Sequence, residues 1–562
     1  DLTHESVILV SDTIPVNIGF VGSYAKKIHG DLIDISLFKY PEDAIKTIKK
    51  EPPDVLALSN YSWNSLLSER VAEIAKQINP KVITVQGGPN FPHDPKQQLE
   101  FLKKRPNTNL YIMFEGEASF SNILDRILKY RKNEQELFDE PINGAVFIHP
   151  DKNKGLIKGL KTQERIKFLD DIPSPYLNGM LDKFFDGRLS PLMQTNRGCP
   201  FHCTFCTDGI DEKQLVTQFS MERVLAEINY IGHHSKIRPS TSMLILADLN
   251  FGMIPRDRKI CEALVETQEK FGFPKKVDCS TGKNAKDRII EAIKILNGAL
   301  AIKLSVQSTD ESVMKNMRRD NISSDQMLAL VPAIRESNLP SVTEIIVGLP
   351  GDSFATNIKT IKDMMRVDVD QYLVYTLMLL HGSELATPEE RKKWGFNTKF
   401  RILPRSFAEL KSGQKIMEVE EVVVSSNSLS FDEYVKIRLL AFSIFVTNQT
   451  SYKPIIKFLR QNNVDIFDLF NRPLDDNNLP ENIQNVFEKF KKSTINELWD
   501  SPEEIIENFQ DDDQYQKLIS EHIGFNVIQF HQALVTTNHM PEWTEYIIKL
   551  AKNLLDENNL PQ

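Results

Sequence analysis

Three cysteines, Cys199, Cys203 and Cys206, lie within eight positions of a 562-residue chain that has five cysteines in all. Their CxxxCxxC spacing places three thiolates in one short loop, and thiolates are the usual ligands of iron–sulfur clusters. Three thiolates on a four-iron cube leave one iron without a protein ligand, so that iron can chelate a small molecule. The loop therefore predicts a catalytic iron–sulfur centre.

Zinc and a disulfide are the alternative explanations for these cysteines. Zinc also binds thiolates, but a closed structural zinc site needs a fourth ligand. His202 lies inside the loop, yet no second Cys or His pair with the spacing of zinc ligands follows it. An odd number of clustered cysteines argues against a disulfide framework. We expect the two remaining cysteines, Cys261 and Cys279, to be small buried residues.

The loop resembles that of the radical S-adenosylmethionine (radical SAM) superfamily, in its cysteine spacing and in the aromatic Phe205 before the last cysteine. The resemblance implies that a [4Fe-4S] cluster binds S-adenosylmethionine through its open iron. One electron from the cluster then cleaves this cofactor to a 5′-deoxyadenosyl radical. Phe205 is expected to contact S-adenosylmethionine.

The bulk composition is that of an ordinary globular chain with room for about three domains. It is 41% hydrophobic and 26% charged, and its net charge of −9 does not suggest a nucleic-acid surface. Apolar stretches such as Leu439–Val446 are far shorter than the roughly 20 residues of a membrane span. No signal peptide is recognisable. Low cysteine usage and an oxygen-sensitive cluster favour a reducing cytoplasm.

Residues 6–130 alternate strand-like and amphipathic runs, which predicts an α/β fold with a parallel, doubly wound, Rossmann-like sheet. Ligands of such sheets bind at the carboxyl ends of the strands. Those ends are expected at residues 12–22, 59–64, 86–90 and 115–118. The predicted strands are Val7–Val10, Leu32–Leu37, Val55–Leu58, Val82–Val85 and Leu110–Phe114.

This N-terminal region resembles the cobalamin-binding domain of cobalamin-dependent radical SAM enzymes. Gly87-Gly88-Pro89 follows one strand and Glu115-Gly116-Glu117 follows the next, as in that family, although a glycine pair alone also makes plain turns. The resemblance implies that cobalamin contacts come from Asn17, Gly19, Ser59, Asn60, Tyr61, Trp63, Gly87, Gly88, Pro89, Glu115 and Gly116.

One departure from related cobalamin domains concerns the cobalt ligand. Domains that bind cobalt through histidine carry DxHxxG after the first strand, whereas this chain has Gly19 at the histidine position. We therefore expect cobalamin to bind without a protein histidine on cobalt, with Asn60, Tyr61 and Trp63 near its lower face. Trp63 could equally be a core anchor. His29 is expected to be a surface histidine.

The region after the N-terminal domain reads as a connector and then a second α/β domain. Ala145–Ile148 and Leu156–Gly159 predict a hairpin, and the proline-containing stretch 170–176 predicts an extended strap. From residue 191 onward, alternating strands and helices predict a partial (β/α)6 barrel. Its strands are expected at Leu192–Thr195, Ser242–Ala247, Lys276–Ser280, Ala301–Val306, Ser341–Val347 and Tyr372–Leu379.

Several strand ends of this barrel resemble S-adenosylmethionine contacts of the family. Asp248 and Asn250 would hold the methionine amino group, although Asp248 could instead cap a helix. Ser305 and Gln307 would contact the ribose, with Ser308 or Thr309 as alternative helix caps. The expected contacts near the adenine are Glu344, Gly348 and Leu349. Arg318 or Arg319 could reach the carboxylate, and His381 more often faces solvent than substrate.

The C-terminal part from about residue 410 is expected to be mainly helical, with a capping box at Ser430–Glu433. We expect four regions. They are a cobalamin-binding domain at 1–135, a connector at 136–190, a radical SAM domain at 191–405 and a helical domain at 406–562.

Together these resemblances imply a cobalamin-dependent radical SAM methyltransferase. Such an enzyme uses two S-adenosylmethionine molecules per turnover, one to make methylcobalamin and one to make the radical that activates an unactivated carbon. A small-molecule or peptide substrate and an electron donor such as flavodoxin or ferredoxin are expected. Two alternatives stay open: a non-methylating cobalamin radical enzyme, and a non-catalytic iron–sulfur or cobalamin sensor.

Overall fold

The computed structural model describes residues 1–5, 8–130, 134–159, 165–239, 241–282, 286–319 and 341–560. These residues form two compact units. The first consists of Asp1–Leu300, Leu380–Thr387 and Arg405–Val419, and the second of Ala301–Leu379, Pro388–Pro404 and Glu420–Gln562. The four-region division expected from the sequence stays a prediction.

The first unit contains a five-stranded sheet with the order β1-β2-β3-β4-β5. Strands β1 (Val55–Ser59), β2 (Ile83–Gly87) and β3 (Leu110–Ile112) are parallel. The predicted hairpin, β4 (Ala145–Ile148) and β5 (Leu156–Lys158), pairs antiparallel with β3 and extends the same sheet. Three of the five predicted N-terminal strands are therefore confirmed.

Helices cover both faces of this sheet, as predicted, because successive strand side chains point to opposite faces. Ile83, Val85, Leu110 and Ile112 pack on one face against helices Val16–His29 and Gly116–Tyr130. The other face carries Leu58 and Tyr111. The helices that pack there are Pro41–Lys50, Ser65–Ile78 and Pro95–Lys103.

Two predicted N-terminal strands are wrong over the residues that the structure describes. Residues 8–10 and 33–37 form no strand, and residues 6 and 7 lie outside the described part. Apolar residues become a strand only where a neighbouring strand completes the hydrogen-bond ladder. In the segment 33–37, two backbone carbonyls bind lysine side chains instead. Lys26 Nζ donates to Ile33 O at 2.9 Å and Lys183 Nζ donates to Leu37 O at 2.5 Å.

The first unit also contains a second parallel sheet with the order β10-β9-β6. Its strands are β6 (Leu192–Met193), β9 (Met243–Phe251) and β10 (Lys276–Thr281). A short antiparallel ribbon, β7 (Asn196–Arg197) with β8 (Thr217–Gln218), brackets the three-cysteine loop. The helices here are Met221–Ile237, Asp257–Phe271 and Lys286–Ile295.

The second unit opens with a parallel sheet of β11 (Ile302–Gln307), β12 (Ser341–Val347) and β13 (Gln371–Thr376). Each of the six strands predicted for the central region thus has a counterpart, in two three-stranded sheets. The helices of this part are Glu311–Asn316, Phe354–Val367 and Pro388–Trp394.

A long hairpin, β14 (Asn397–Glu409) with β15 (Lys415–Ser425), was not predicted. The rest of the C-terminal part is helical, as expected, and Ser430 and Glu433 form the predicted capping box. None of the described helices is both long and apolar enough to span a membrane. The helices are Phe431–Thr447, Lys453–Gln461, Phe467–Asn471, Glu481–Asn496, Pro502–Asn508, Asp512–Ser520, Val527–Asn538 and Met540–Glu557.

Candidate cofactor-binding site

The three-cysteine loop between β7 and β8 is held by its own backbone. Cys199 N donates to Lys213 O at 2.9 Å and Cys206 N donates to Cys203 O at 3.0 Å. A Cβ at Gly209 would lie 2.2 Å from Cys203 O, so only glycine fits at this position. These contacts fold the loop back on itself and keep the cysteines on one short turn.

Two of the cysteine sulfurs accept hydrogen bonds, one from β9 and one from the loop itself. Asn250 Nδ2 donates to Cys199 Sγ at 3.3 Å and Asp208 N donates to Cys206 Sγ at 3.4 Å. All five cysteines are described and none forms a disulfide. Hydrogen bonds to ligating sulfurs are one of the means by which proteins set the potential of an iron–sulfur cluster.

No group of three or more His, Cys, Asp or Glu side chains converges closely enough for a single metal ion within the described ranges. A mononuclear zinc site requires such convergence. A four-iron cube does not, because each thiolate binds a different iron and the sulfurs stay apart. Three thiolates in one short loop are the donor set that an iron–sulfur cluster uses.

Asp248 differs from its predicted position and environment. It lies within β9 rather than after it, and its oxygens accept from Thr195 N at 2.7 Å, from Asn196 Nδ2 at 2.8 Å and from the Thr195 hydroxyl. Burial raises the pKa of Asp248 to about 6, against the lowering effect of these hydrogen bonds. The carboxylate is thus occupied in fixing the residues before the cysteine loop, which leaves it no evident role with a ligand.

Asn250, two residues further along β9, presents an unsatisfied atom beside the cysteines. Its Nδ2 binds Cys199, while its buried Oδ1 has no hydrogen-bond partner among the described residues. Thr204 Oγ1, inside the loop, is likewise buried and unsatisfied. Because such atoms are costly without a partner, a water or a polar ligand has to supply the missing hydrogen bonds here.

The carboxyl ends of β1 and β2 meet in a tight polar turn. Asn60 N donates to Gly87 O at 2.7 Å, and the Asn60 amide bonds both Gln86 Oε1 at 2.9 Å and Asn90 Nδ2 at 3.0 Å. Gly88 has a φ of 142°, and a Cβ there would lie 2.4 Å from Asn60 O. The turn therefore needs glycine at position 88 and leaves the backbone open to a close ligand. Pro89 follows it in the chain.

A flat aromatic pair lies next to this turn. The rings of Tyr61 and Trp63 stack with centroids 4.4 Å apart and planes within 8° of each other. Asn17 Nδ2 donates to the Tyr61 hydroxyl at 3.0 Å, while Asn17 Oδ1 and Trp63 Nε1 are buried without a partner in the described structure. The sequence predicted that Asn17 follows a strand. In the structure it lies in the first helix instead. The pair forms a platform with two unsatisfied polar atoms.

Gly19 lies inside a helix rather than in a turn after a strand, which corrects the secondary structure expected for it. It is in the same helix as Asn17, and a Cβ there would be 2.9 Å from Pro175 Cβ in the strap. A histidine has no room at this position. His29 is also corrected: it is buried, with its Nε2 2.9 Å from Ser121 Oγ. Ser59 is buried as well, and its Oγ accepts from Asn64 Nδ2 at 3.1 Å.

The end of β3 is tied to the start of the cysteine loop by a buried ion pair. Arg197 Nη2 donates to Glu117 Oε1 at 2.6 Å and its Nη1 lies 3.9 Å from Glu115 Oε2. Glu115 also accepts from Arg165 Nε at 2.7 Å. Gly116, between the two glutamates, packs against Val21. Glu115 is therefore engaged with arginines rather than exposed to a ligand.

The segment Leu380–Thr387 touches both the cysteine loop and the carboxyl edge of the first sheet. Leu385 N donates to Thr204 O at 3.1 Å, and the His93 Nε2–H group donates to Gly382 O at 3.1 Å. Burial raises the pKa of Tyr61, the hydrogen bond from Asn17 lowers it, and the charge of Asp208 in the cysteine loop raises it further. The two predicted cofactor sites are therefore neighbours within the first unit.

The remaining predicted S-adenosylmethionine residues lie in the second unit. Ser305 Oγ donates to Glu344 Oε2 at 2.6 Å, and Gln307 has a φ of 66° with a buried, unsatisfied Oε1. Gly348 N donates to Asp352 Oδ2 at 3.1 Å, and Leu349 is fully buried.

The structure also bears on the helix cap, the arginines and the histidine that the sequence left open for this region. Asp310 caps the helix Glu311–Asn316, so neither Ser308 nor Thr309 does. Arg319 donates to Ser305 O, and Arg318 has a φ of 50°. His381, in the first unit, is exposed, as the sequence favoured. Phe205 is half-buried.

Some residues of the site were not predicted. The role of Arg197 could have been predicted, because it lies two residues before Cys199 and a buried cation there needs an acidic partner. His93 and Gly382 gave no signal, since they are 289 residues apart and meet only in the folded chain.

Two family models match this chain. Residues 193–364 match the radical SAM superfamily and residues 9–124 match the B12-binding domain. These matches define the class, a protein in which a B12-binding domain precedes a radical SAM domain. The chain belongs to the cobalamin-dependent radical SAM enzymes. A [4Fe-4S] cluster, S-adenosylmethionine and cobalamin are the cofactors that these domains imply.

Curated relatives of the chain include methyltransferases. It is 32% identical to the cobalamin-dependent radical SAM methyltransferase TokK of Streptomyces tokunonensis, over 68% of this chain and 55% of TokK. It is 30% identical to the 2-(S-pantetheinyl)-carbapenam-3-carboxylate methyltransferase of Streptantibioticus cattleyicolor, over the same shares. The chain thus spans about half the length of these relatives.

A solved structure shares the fold. The apo form of the cobalamin-dependent S-adenosylmethionine radical enzyme OxsB superposes with a TM-score of 0.52 at 15% identity. The match covers 100% of this chain and 80% of OxsB. At this identity the likeness supports the fold alone.

Proposed function

We propose that this protein is a methyltransferase that uses cobalamin and radical SAM chemistry to methylate an unactivated carbon of a small organic molecule. The observation that carries the proposal is the position of the three-cysteine loop against the carboxyl edge of β1, β2 and β3. Methyl transfer to a carbon-centred radical requires both cofactors to reach one substrate, and this placement would meet that need. The names of the relatives support methylation over rearrangement.

The cluster would be held by Cys199, Cys203 and Cys206. Asn250 would help to orient S-adenosylmethionine, because its unsatisfied Oδ1 is beside the cysteine loop and can accept from an ammonium group. This assignment replaces Asp248, whose carboxylate is occupied. The contacts of Ser305, Gln307, Glu344, Gly348 and Leu349 with S-adenosylmethionine stay predictions.

Cobalamin would lie on the carboxyl edge of the first sheet. Gly87, Gly88 and Pro89 would let it approach the backbone, and the Tyr61–Trp63 pair would lie below the corrin ring. Asn17 Oδ1 and Trp63 Nε1 supply one acceptor and one donor that have no partner in the described structure. The packing of Gly19 against Pro175 is consistent with cobalt that lacks a histidine ligand from this position.

When bound, the three cofactors would supply a carbon-centred radical and a transferable methyl group. Together these would allow methylation of a carbon that has no acidic proton or lone pair. The chain itself orients them, by the turn at Gly88 on one side and the cysteine loop on the other. It also limits water, because Cys199, Cys203 and Thr204 are buried. An electron donor such as flavodoxin or ferredoxin and a reducing cytoplasm are parts of this proposal.

The test is anaerobic reconstitution with iron, sulfide and hydroxocobalamin, followed by S-adenosylmethionine and a strong reductant. We expect bound cobalamin and formation of both 5′-deoxyadenosine and S-adenosylhomocysteine. Formation of 5′-deoxyadenosine alone would indicate the rearranging alternative, and a loaded protein that cleaves nothing would indicate a sensor.

A pair of cysteine variants sharpens this test. Cys199→Ala should lose the iron of the cluster and both products but retain cobalamin. Cys261→Ala is the matched control, because Cys261 is fully buried in a helix and burial raises the pKa of its thiol to about 12. Equal iron loss in both variants would contradict the assignment of the cluster to the loop.

A further inference from the structure

The segment Leu380–Thr387 is a short stretch of chain that returns to the first unit between two parts of the second. It contains one short 3₁₀ turn, Glu384–Ala386. Its contacts reach both loops that the proposed function assigns to cofactors. A segment with that position can set the spacing between them.

The segment is bonded to each side through its backbone. On the cluster side, Leu385 N donates to Thr204 O at 3.1 Å, next to Cys203. On the cobalamin side, His93 Nε2 donates to Gly382 O at 3.1 Å and Gln97 Nε2 donates to Ala386 O at 3.4 Å. The link to the cluster side joins two backbone groups, whereas the links to the cobalamin side join side-chain donors to backbone carbonyls.

Gly382 lies next to both sides. A Cβ at Gly382 would lie 2.6 Å from Pro89 O, on the Gly-Gly-Pro turn, and 3.5 Å from Thr207 Cγ2, in the cysteine loop. One added carbon would therefore clash with the Gly-Gly-Pro turn, whereas its distance to the cysteine loop would be an ordinary contact. Reaching an ordinary contact of 3.4 Å with Pro89 O requires a shift of 3.4 − 2.6 = 0.8 Å.

We propose that Gly382, held by His93, is a positioning residue that sets the distance between the cobalamin-binding edge and the cluster loop. This inference rests on the proposed function. Its consequence is a division of the chemistry. Cleavage of S-adenosylmethionine at the cluster needs the cysteine loop alone, whereas methyl transfer to cobalamin needs the correct spacing of both sites.

The surroundings of His93 hold it in the form that this role requires. Its ring stacks on Phe114, with centroids 5.7 Å apart, and its Nε2 must carry the proton to donate to a carbonyl. Burial lowers the pKa of His93, which favours the neutral ring. The hydrogen bond to Gly382 and the charge of Glu212 raise this pKa, whereas the charges of Lys213 and Lys158 lower it.

The experiment compares Gly382→Ala, His93→Ala and His93→Gln with the wild-type holoenzyme. The structural readout is the electron paramagnetic resonance spectrum of reduced protein that carries cob(II)alamin and the reduced cluster, whose spin–spin coupling depends on their distance. The chemical readout is the ratio of S-adenosylhomocysteine to 5′-deoxyadenosine. His233→Ala, an exposed histidine on a helix, is the matched control.

We expect Gly382→Ala and His93→Ala to bind both cofactors but to show altered spin–spin coupling. Since a misplacement of about 1 Å can cost about 100-fold in rate, S-adenosylhomocysteine formation should fall by up to that factor. The rate of 5′-deoxyadenosine formation should stay within about twofold of wild type, since the cysteine loop is intact. His93→Gln, whose amide can donate to the same carbonyl, should restore both readouts.

Unchanged coupling and an unchanged product ratio in Gly382→Ala or His93→Ala would overturn the inference while leaving the proposed function intact. If Gly382→Ala does not fold, the two His93 variants decide, since they add no atom against Pro89. A wild-type protein that takes up no cobalamin would instead overturn the proposed function, and the inference with it.

Discussion

Replacing Gly88 with alanine should weaken cobalamin binding without removing the cluster. The Gly88 φ of 142° is outside the range that other residues adopt without strain. The new Cβ would also lie 2.4 Å from Asn60 O, a backbone atom that cannot swing aside. The turn after β2 must therefore move by about a further 1 Å from Asn60 to reach an ordinary contact of 3.4 Å.

The size of the effect follows from the strain. A residue forced into such a backbone conformation costs about 1–3 kcal/mol. In the unbound variant the turn can relax, so the cost falls on the bound state, where the turn must close against cobalamin. At about 1.4 kcal/mol per tenfold change, the Kd should rise by roughly 5- to 150-fold.

The assay is an absorbance titration of the cluster-loaded protein with hydroxocobalamin, with iron content measured on the same samples. Gly155→Ala is the matched control, because Gly155 also has a positive φ, of 64°, but its Cβ would meet nothing within 4 Å. We expect the control to bind like wild type. A folded Gly88→Ala variant with wild-type Kd would refute the assignment of this turn to cobalamin.

Two further predictions concern stability. Burial raises the pKa of Asp352 to about 6, so the native state stays protonated where the unfolded chain is ionised, and stability should fall as the pH rises from about 4 to about 6. Asp352→Asn should remove this slope in urea titrations of the apoprotein, and parallel pH profiles would contradict it. Glu418→Ala should lower the free energy of unfolding by about 2–4 kcal/mol, because its buried carboxylate accepts from Leu66 N and Leu67 N, both at 2.9 Å. Exposed Glu409→Ala should change it by under about 0.5 kcal/mol, and equal losses would argue against the capping role.

Most of the fold could be predicted from the sequence, because its signals are local. β1, β2 and β3 are short apolar runs between amphipathic helices, and the three cysteines lie within one turn of chain. The failures were not local. Residues 33–37 have the composition of a strand, but the Leu37 carbonyl binds Lys183, which is 146 residues away in the chain.

The same distinction applies to the site. The turn at Gly87-Gly88-Pro89 could be read from the chain, whereas the contact of Asn17 with Tyr61 depends on how the first helix packs. Asp248 had the right residue type and nearly the right position, yet Thr195 and Asn196 occupy its oxygens. Sequence can indicate which side chains are polar at a strand end, but only packing decides which of them keep an unsatisfied atom.

The presence of Arg405–Val419 in the first unit has a consequence for synthesis in the cell. Leu410 and Ile416 belong to the same apolar core as Leu67 and Val71, and Glu418 caps the helix that carries those two residues. A nascent chain that has reached residue 300 must wait for 119 more residues before this core is complete. At 5–20 residues per second this interval lasts about 6–24 s, during which apolar surface stays open to chaperones and to aggregation.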